Sequence, residues 1–295
     1  MTDAPNKLTV VGERQLTPTQ RRLLSVLGHV ALISISVLML YPLLWMLAAS
    51  FRPENEIFTS SSIIPSAFSL DAYVRGWNGL RTNFGVFFTN SFIISILGVC
   101  GNVLACSMAA FAFARLDFKF KNFWLAMMLM TLMLPYQVTL IPQYVLFRQL
   151  GWVNTFLPLV VPKFLAADGF FIFLMVQFFR GLPKELDEAA QMDGCSPWRI
   201  YWKIIMPLSM PVLATAAIFT FIWTWDDFFG PLIYLSEMKT YTVMLGLRTF
   251  TDSTGQSDYG GLFAMSVLSL VPIFLFFLIF QRLLIEGIAT TGMKR

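Results

Sequence analysis

Few side chains in this 295-residue sequence could do covalent chemistry. It has one histidine, His29, and three cysteines, Cys100, Cys106 and Cys195, which supply neither a metal-ligand cluster nor a proton relay. No catalytic or metal-binding residue is therefore expected. No GxxxxGK[ST] loop occurs, so the chain is expected to bind no nucleotide or other cofactor itself. What remains is a handful of charges and aromatics set in an oily background, and the chemistry they suit is recognition. Trp225, Asp226 and Asp227 close one apolar run. An indole can stack on a sugar face and carboxylates accept hydrogen bonds from hydroxyls, although the same residues could form an interfacial belt. Lys163 and Asp168 lie inside another run, and helix geometry puts Asp168 about 18 Å from Arg180. A charge that deep in a hydrocarbon layer of about 30 Å marks a candidate site. On one continuous helix, Lys163 would sit about 140° around from Asp168, so each would need a partner elsewhere. Lys163 could instead snorkel to an interface while Asp168 bonds to a neighbouring helix.

The densest polar stretch is 181–211, GLPKELDEAAQMDGCSPWRIYWKIIMPLSMP. Pro183 suits a first helical turn, and Glu185, Asp187 and Glu188 suit the positive end of a helix dipole. This predicts a short helix ending at Gly194, where a glycine can take the left-handed cap conformation. Ser196 and Pro197 then read as the cap and first turn of a second helix. Trp198, Tyr201, Trp202 and Ile205 follow at helical spacing as an apolar stripe suited to a membrane interface, before Pro207 and Pro211 bend the chain.

The elements that position these residues must be membrane helices. Hydrophobic residues make up 57% of the sequence and charged residues 13%, far from the quarter or so charged in a soluble domain. The expected fold is an all-α polytopic membrane protein with six transmembrane helices, near 23–51, 88–113, 122–134, 156–179, 208–229 and 262–284. Pro135 and Pro142 kink or end the third. The first run is too long for a signal peptide's apolar core and is expected to stay uncleaved. Small residues Gly98, Gly101, Ala105 and Ala109 offer close helix contact. The division is a tail 1–22, a membrane domain 23–284 containing the polar loop 181–207, and a tail 285–295. Roughly two-thirds of the 21 basic residues fall in 1–22, 115–121, 180–203 and 282–295, which places both tails and the polar loop in the cytoplasm. The net charge of +4 is explained by this bias, and no nucleic-acid partner is expected.

The spacing of Glu188, Ala189, Ala190 and Gly194, with Ile204, Ile205, Met206 and Pro207 beyond, resembles the EAA loop of membrane subunits in bacterial ABC importers. Met206 stands where that family usually has Leu, a swap of similar volume. The resemblance implies a cytoplasmic coupling helix in which Glu185, Glu188, Ala189, Ala190, Met192, Asp193 and Gly194 meet an ATP-hydrolysing subunit. Trp225, Asp226, Asp227, Gly230 and Pro231 resemble the sugar-importer branch, with Asp226 replacing a common Asn. Gln281, Arg282, Gly287, Gly292 and Lys294 resemble the end of the maltose-type permease, which implies that Gly287, Gly292 and Lys294 contact the ATPase subunits. Together these imply a non-catalytic second permease of a carbohydrate importer in a bacterial inner membrane, its substrate most simply an oligosaccharide. Its expected partners are a homologous permease subunit, two ATP-binding subunits carrying ATP and Mg, and an extracytoplasmic solute-binding protein. Whether the solute is neutral, acidic or phosphorylated stays open. The rival is an ion-coupled secondary transporter of a small polar solute using Asp168; an intramembrane enzyme would need a nucleophile and base that the runs lack.

Overall fold

The computed structural model of the chain describes residues 18–59, 62, 64–251 and 257–292. Among them every regular element is helical. Residues 1–17 of the N-terminal tail and Lys294 lie outside the described set.

α1 (Pro18–Ala49) is followed by a short α2 (Asp71–Asn78) and then α3 (Phe84–Arg115). α3 starts four residues earlier than expected, because Asn83 caps it by accepting a hydrogen bond from the Gly85 amide at 2.8 Å, and Phe84 and Phe87 are buried. The third run is two helices, α4 (Lys121–Thr131) and α5 (Tyr136–Gln149), bent by 99°. The bend falls before Pro135, whereas Pro142 is carried inside α5.

The fourth run is interrupted, contrary to the continuous helix expected. α6 (Leu157–Val160) passes into a 3₁₀ stretch, Val161–Leu165, and Ala166 takes φ +52° before α7 (Gly169–Gly181) begins. The polar loop gives α8 (Glu185–Met192), α9 (Pro197–Ile200), a π-helical turn Tyr201–Ile205 and α10 (Met206–Leu208). At Ser209 the chain bends by 78° into α11 (Met210–Trp225). α12 (Phe229–Tyr234) and α13 (Val243–Arg248) fill what the sequence suggested was a loop. α14 (Tyr259–Gly292) closes the chain with no helix boundary near 284, so Gly287 and Gly292 lie within it.

Among the described residues four helical segments are long and apolar enough to cross a membrane, or up to six if each bent pair is one span. α3 is central: α7 and α11 pack along it, and α14 packs on α11. The close approach is set by small residues, since a Cβ on Gly101 would lie 2.5 Å from the Phe164 ring. One apolar core, around Phe171, Phe179, Tyr201 and Ile205, lies at the α8 end; the other, around Phe84, Phe221, Trp225 and Met265, lies at the opposite end. α1 stands largely apart, touching the bundle through α14, as where Trp45 meets Phe263 edge-on at 5.4 Å.

Candidate functional site

α8 forms as its sequence suggests, with one shift. Pro183 precedes the helix and helps end α7, because the first helical residue is Glu185 and Lys184 is the cap position. At the other end Gly194 has φ +78°, its amide bonds to Gln191 O at 2.9 Å, and the Cys195 amide bonds to Ala190 O at 2.9 Å. That pair of bonds is the Schellman stop, which satisfies carbonyls the helix would otherwise orphan. Ser196 then accepts from the Arg199 amide and Pro197 opens α9, as expected.

The helix has two faces. Glu185, Glu188, Ala189, Asp193 and Gly194 are exposed, and Met192 is 89% exposed, an apolar side chain presented to whatever lies beyond. Ala190 departs from the expected set: it is buried in the core with Phe179 and Tyr201, because three-residue spacing from Asp187 turns both inward. Ala190 therefore serves packing within the chain and offers no surface to a partner. Asp187 pairs with Arg115, the last residue of α3, at 3.2 Å. Burial raises the Asp187 carboxyl above the ordinary carboxylate range, the nearby guanidinium lowers it, and Glu188 raises it further.

The aromatic stripe beyond is divided as well. Trp198 and Trp202 are exposed, but Tyr201 and Ile205 are buried, and the Tyr201 hydroxyl lies 2.8 Å from Ser107 Oγ on α3. The single interfacial face expected of all four is replaced by an inner and an outer pair. Helical spacing accounts for this: the members of each pair are four residues apart and share a face, while the two pairs are offset around the axis.

The second constellation lies where the interrupted fourth run packs on α3 and α11. Lys163 Nζ is 3.5 Å from Asp168 Oδ2, so the two partner one another. The expectation that they diverge fails because it assumed an unbroken helix; the 3₁₀ stretch and left-handed Ala166 fold the chain back and bring them together. Lys163 also lines a cavity of about 80 Å³ with Ile94, Leu159, Trp223, Thr224, Asp227, Pro231 and Thr242. Thr242 Oγ1 is buried without a hydrogen-bond partner, and Asp227 Oδ1 accepts from the Gly230 amide at 3.1 Å.

Trp225, expected on a solute path, is elsewhere. It is fully buried, donates from Nε1 to Ser269 O at 3.1 Å and packs on Phe92 and Phe221. Two residues earlier, Trp223 is half-exposed and reaches the cavity instead. Successive positions on a helix differ by about 100°, so the choice between two nearby tryptophans depended on which face α11 turns to α14. Asp226 is exposed and does not line the cavity. Among the described residues no group of three or more His, Cys, Asp or Glu could hold a metal ion.

With this geometry in view, similarity to known proteins is extensive. Residues 101–290 match the family model of the binding-protein-dependent transport system inner membrane component. The chain is 36% identical over 266 residues to the arabinooligosaccharides transport system permease protein AraQ of Halalkalibacterium halodurans, covering 88% of this chain and 93% of that one. It is 30% identical over 274 residues to the sn-glycerol-3-phosphate transport system permease protein UgpE of Pectobacterium atrosepticum, covering 91% and 97%. Its fold resembles the crystal structure of a bacterial ABC transporter involved in the import of the acidic polysaccharide alginate. There the TM-score is 0.79 at 20% identity, over 90% of this chain and 98% of that chain.

Proposed function

This chain belongs to the family of binding-protein-dependent transport system inner membrane components, and from that membership we propose that it is the second permease of a carbohydrate importer. As a member it is a non-catalytic, multi-pass permease subunit of an inner-membrane ABC importer. The proposal adds its partners: a homologous permease, two ATP-binding subunits holding ATP and Mg, and a solute-binding protein on the outer face. The observation that carries it is the exposed face of α8, where Glu185, Glu188, Ala189 and Met192 project beyond the bundle and Gly194 ends the helix abruptly. Such a rigid stub fits a cleft on an ATP-binding subunit. Gly287, Gly292 and Lys294 are assigned a second contact with those subunits. The bias of basic residues supports α8 and both termini lying in the cytoplasm.

An oligosaccharide is favoured as solute by the substrate in the name of the AraQ relative and by a cavity wall that offers an indole, hydroxyls and a carboxylate. At about 80 Å³ the cavity is well below the roughly 300 Å³ at which ligand pockets begin, so transport requires it to widen. ATP bound between the ATP-binding subunits would stabilise the widened state over the closed one, and α8 would carry that preference into the spans. An ion-coupled carrier has little to work with here, since Asp168 is already neutralised by Lys163.

Uptake into proteoliposomes carrying the whole complex tests this. Labelled arabinooligosaccharide should enter only when ATP is supplied to the ATP-binding subunits, and should still enter after ion gradients are collapsed. Uptake that continues without ATP would overturn the importer mechanism. Uptake of glycerol 3-phosphate with no uptake of oligosaccharide would overturn only the choice of solute.

A further inference from the structure

Arg115 ends α3 with its side chain only 4% exposed. Its Nε lies 3.2 Å from Asp187 Oδ2, and its Nη2 donates to Leu182 O at 3.0 Å. Leu182 is the residue that caps α7, and Asp187 is on the inward face of α8. One planar guanidinium therefore ties the ends of α3, α7 and α8, a task its rigid fork suits better than a flexible ammonium. The Nε–Oδ2 contact is an ion pair without hydrogen-bond alignment, and Arg115 Nε, Arg115 Nη1 and Asp187 Oδ1 are all buried without hydrogen-bond partners. If the pair separates, the guanidinium, only 4% exposed, loses its counter-charge in a buried site, which opposes separation of α8 from the end of α3.

The helix at the other side of this tie is unusual within the molecule. α3 has 32 residues, about 48 Å of helix, with no internal proline and no break. Every other candidate span among the described residues carries an internal proline or a break: Pro42 within α1, Pro272 within α14, bends of 99° and 78° in two more, and left-handed Ala166 in another. Kinks localise flexing at such points, and α3 has none to yield at. About 20 Å along α3 from Arg115, Asn102 is fully buried and donates to Thr220 Oγ1 of α11 at 2.7 Å. Farther along, Ile94 lines the Lys163–Asp227 cavity. A second tie, Ser107 to Tyr201, joins α3 to the turn after α9.

We propose that Arg115 is the positioning residue that locks α8 to α3, so that a displacement of α8 reaches the cavity through one unbroken rod. This rests on the docking role proposed for α8. The test uses the assembled complex with Cys100, Cys106 and Cys195 replaced by serine and a reporter cysteine, Ile94→Cys, in the cavity wall. Labelling by a water-soluble maleimide is compared with and without ATP, alongside bound ATP-binding subunit and ATP hydrolysis. In the parent, ATP should change the labelling rate severalfold. In Asp187→Asn that change should vanish while the ATP-binding subunits stay bound and keep hydrolysing ATP. Arg115→Lys, which keeps the charge and loses the fork to Leu182 O, should retain part of the response, and it carries the test if the Asn variant fails to reach the membrane. A full ATP response in either variant overturns the proposal. So does loss of ATP-binding subunits from both, which would mark the pair as a support for α8 alone, and so does a parent that shows no response to ATP. A parent that binds no ATP-binding subunit would instead refute the docking role of α8, before any variant is compared.

Discussion

Trp223 and Trp225 show how much depends on one residue's angular position. Trp225 fills the space between α11 and α14 completely, and its indole N–H is satisfied by Ser269 O. Truncation would leave a cavity and an unpartnered carbonyl, a loss of about 3–5 kcal/mol for a buried Trp→Ala change. The dispersion part of that loss holds in lipid as well as in water. Trp223 is half-exposed and touches Phe170, Phe171 and Phe219 at one edge of the cavity. Thermal unfolding in detergent should therefore show Trp225→Ala strongly destabilised, and Trp223→Ala close to the parent with reduced uptake. Equal midpoints for the two variants would contradict these placements. At this scale the α8 residues were legible in the sequence because capping is local: Gly194, Ser196 and Pro197 act on neighbours one to five positions away. The Arg115–Asp187 pair was not legible, since it joins two helices distant in the chain and depends on how α3 and α7 pack.

Elements were legible where their signals were local and illegible where packing overrode them. The apolar runs marked the spans, and small residues on α3 marked its contact face. The break in the fourth run was missed, although Pro158 and Pro162 stand in its first turns and Asp168–Gly169 begins a new helix. Pro162 removes a donor from any continuing helix, which favours the 3₁₀ stretch observed. The missed break in turn hid the Lys163–Asp168 pair, because a five-residue separation closes only when the helix does not continue. Ala166 bears the cost of the reversal, its φ of +52° being a conformation disfavoured for any residue with a Cβ. Ala166→Gly should then raise stability by up to about 1 kcal/mol, less a small loss for the methyl group that packs against the core. The measurement is the thermal midpoint of the purified chain in detergent. A lowered midpoint would mean that the left-handed turn is not a source of strain.

As a whole the molecule leaves two surfaces uncovered. α1 leaves apolar side chains uncovered around its length, a surface for lipid or for the homologous permease proposed above. α8 leaves an acidic and apolar face uncovered at one end, and it is joined through Arg115 to α3, which among the described spans alone has neither a break nor an internal proline. The central claim is that this face docks on an ATP-binding subunit, and the most direct measurement is cross-linking from α8 itself. In the chain freed of native cysteines, Met192→Cys should react with a short bifunctional maleimide in membranes containing the complex and join this subunit to an ATP-binding subunit. Ala190→Cys, buried against Phe179 and Tyr201, should not. A Met192→Cys chain that reacts freely with the reagent, in complexes that import solute, yet never joins an ATP-binding subunit would contradict the account.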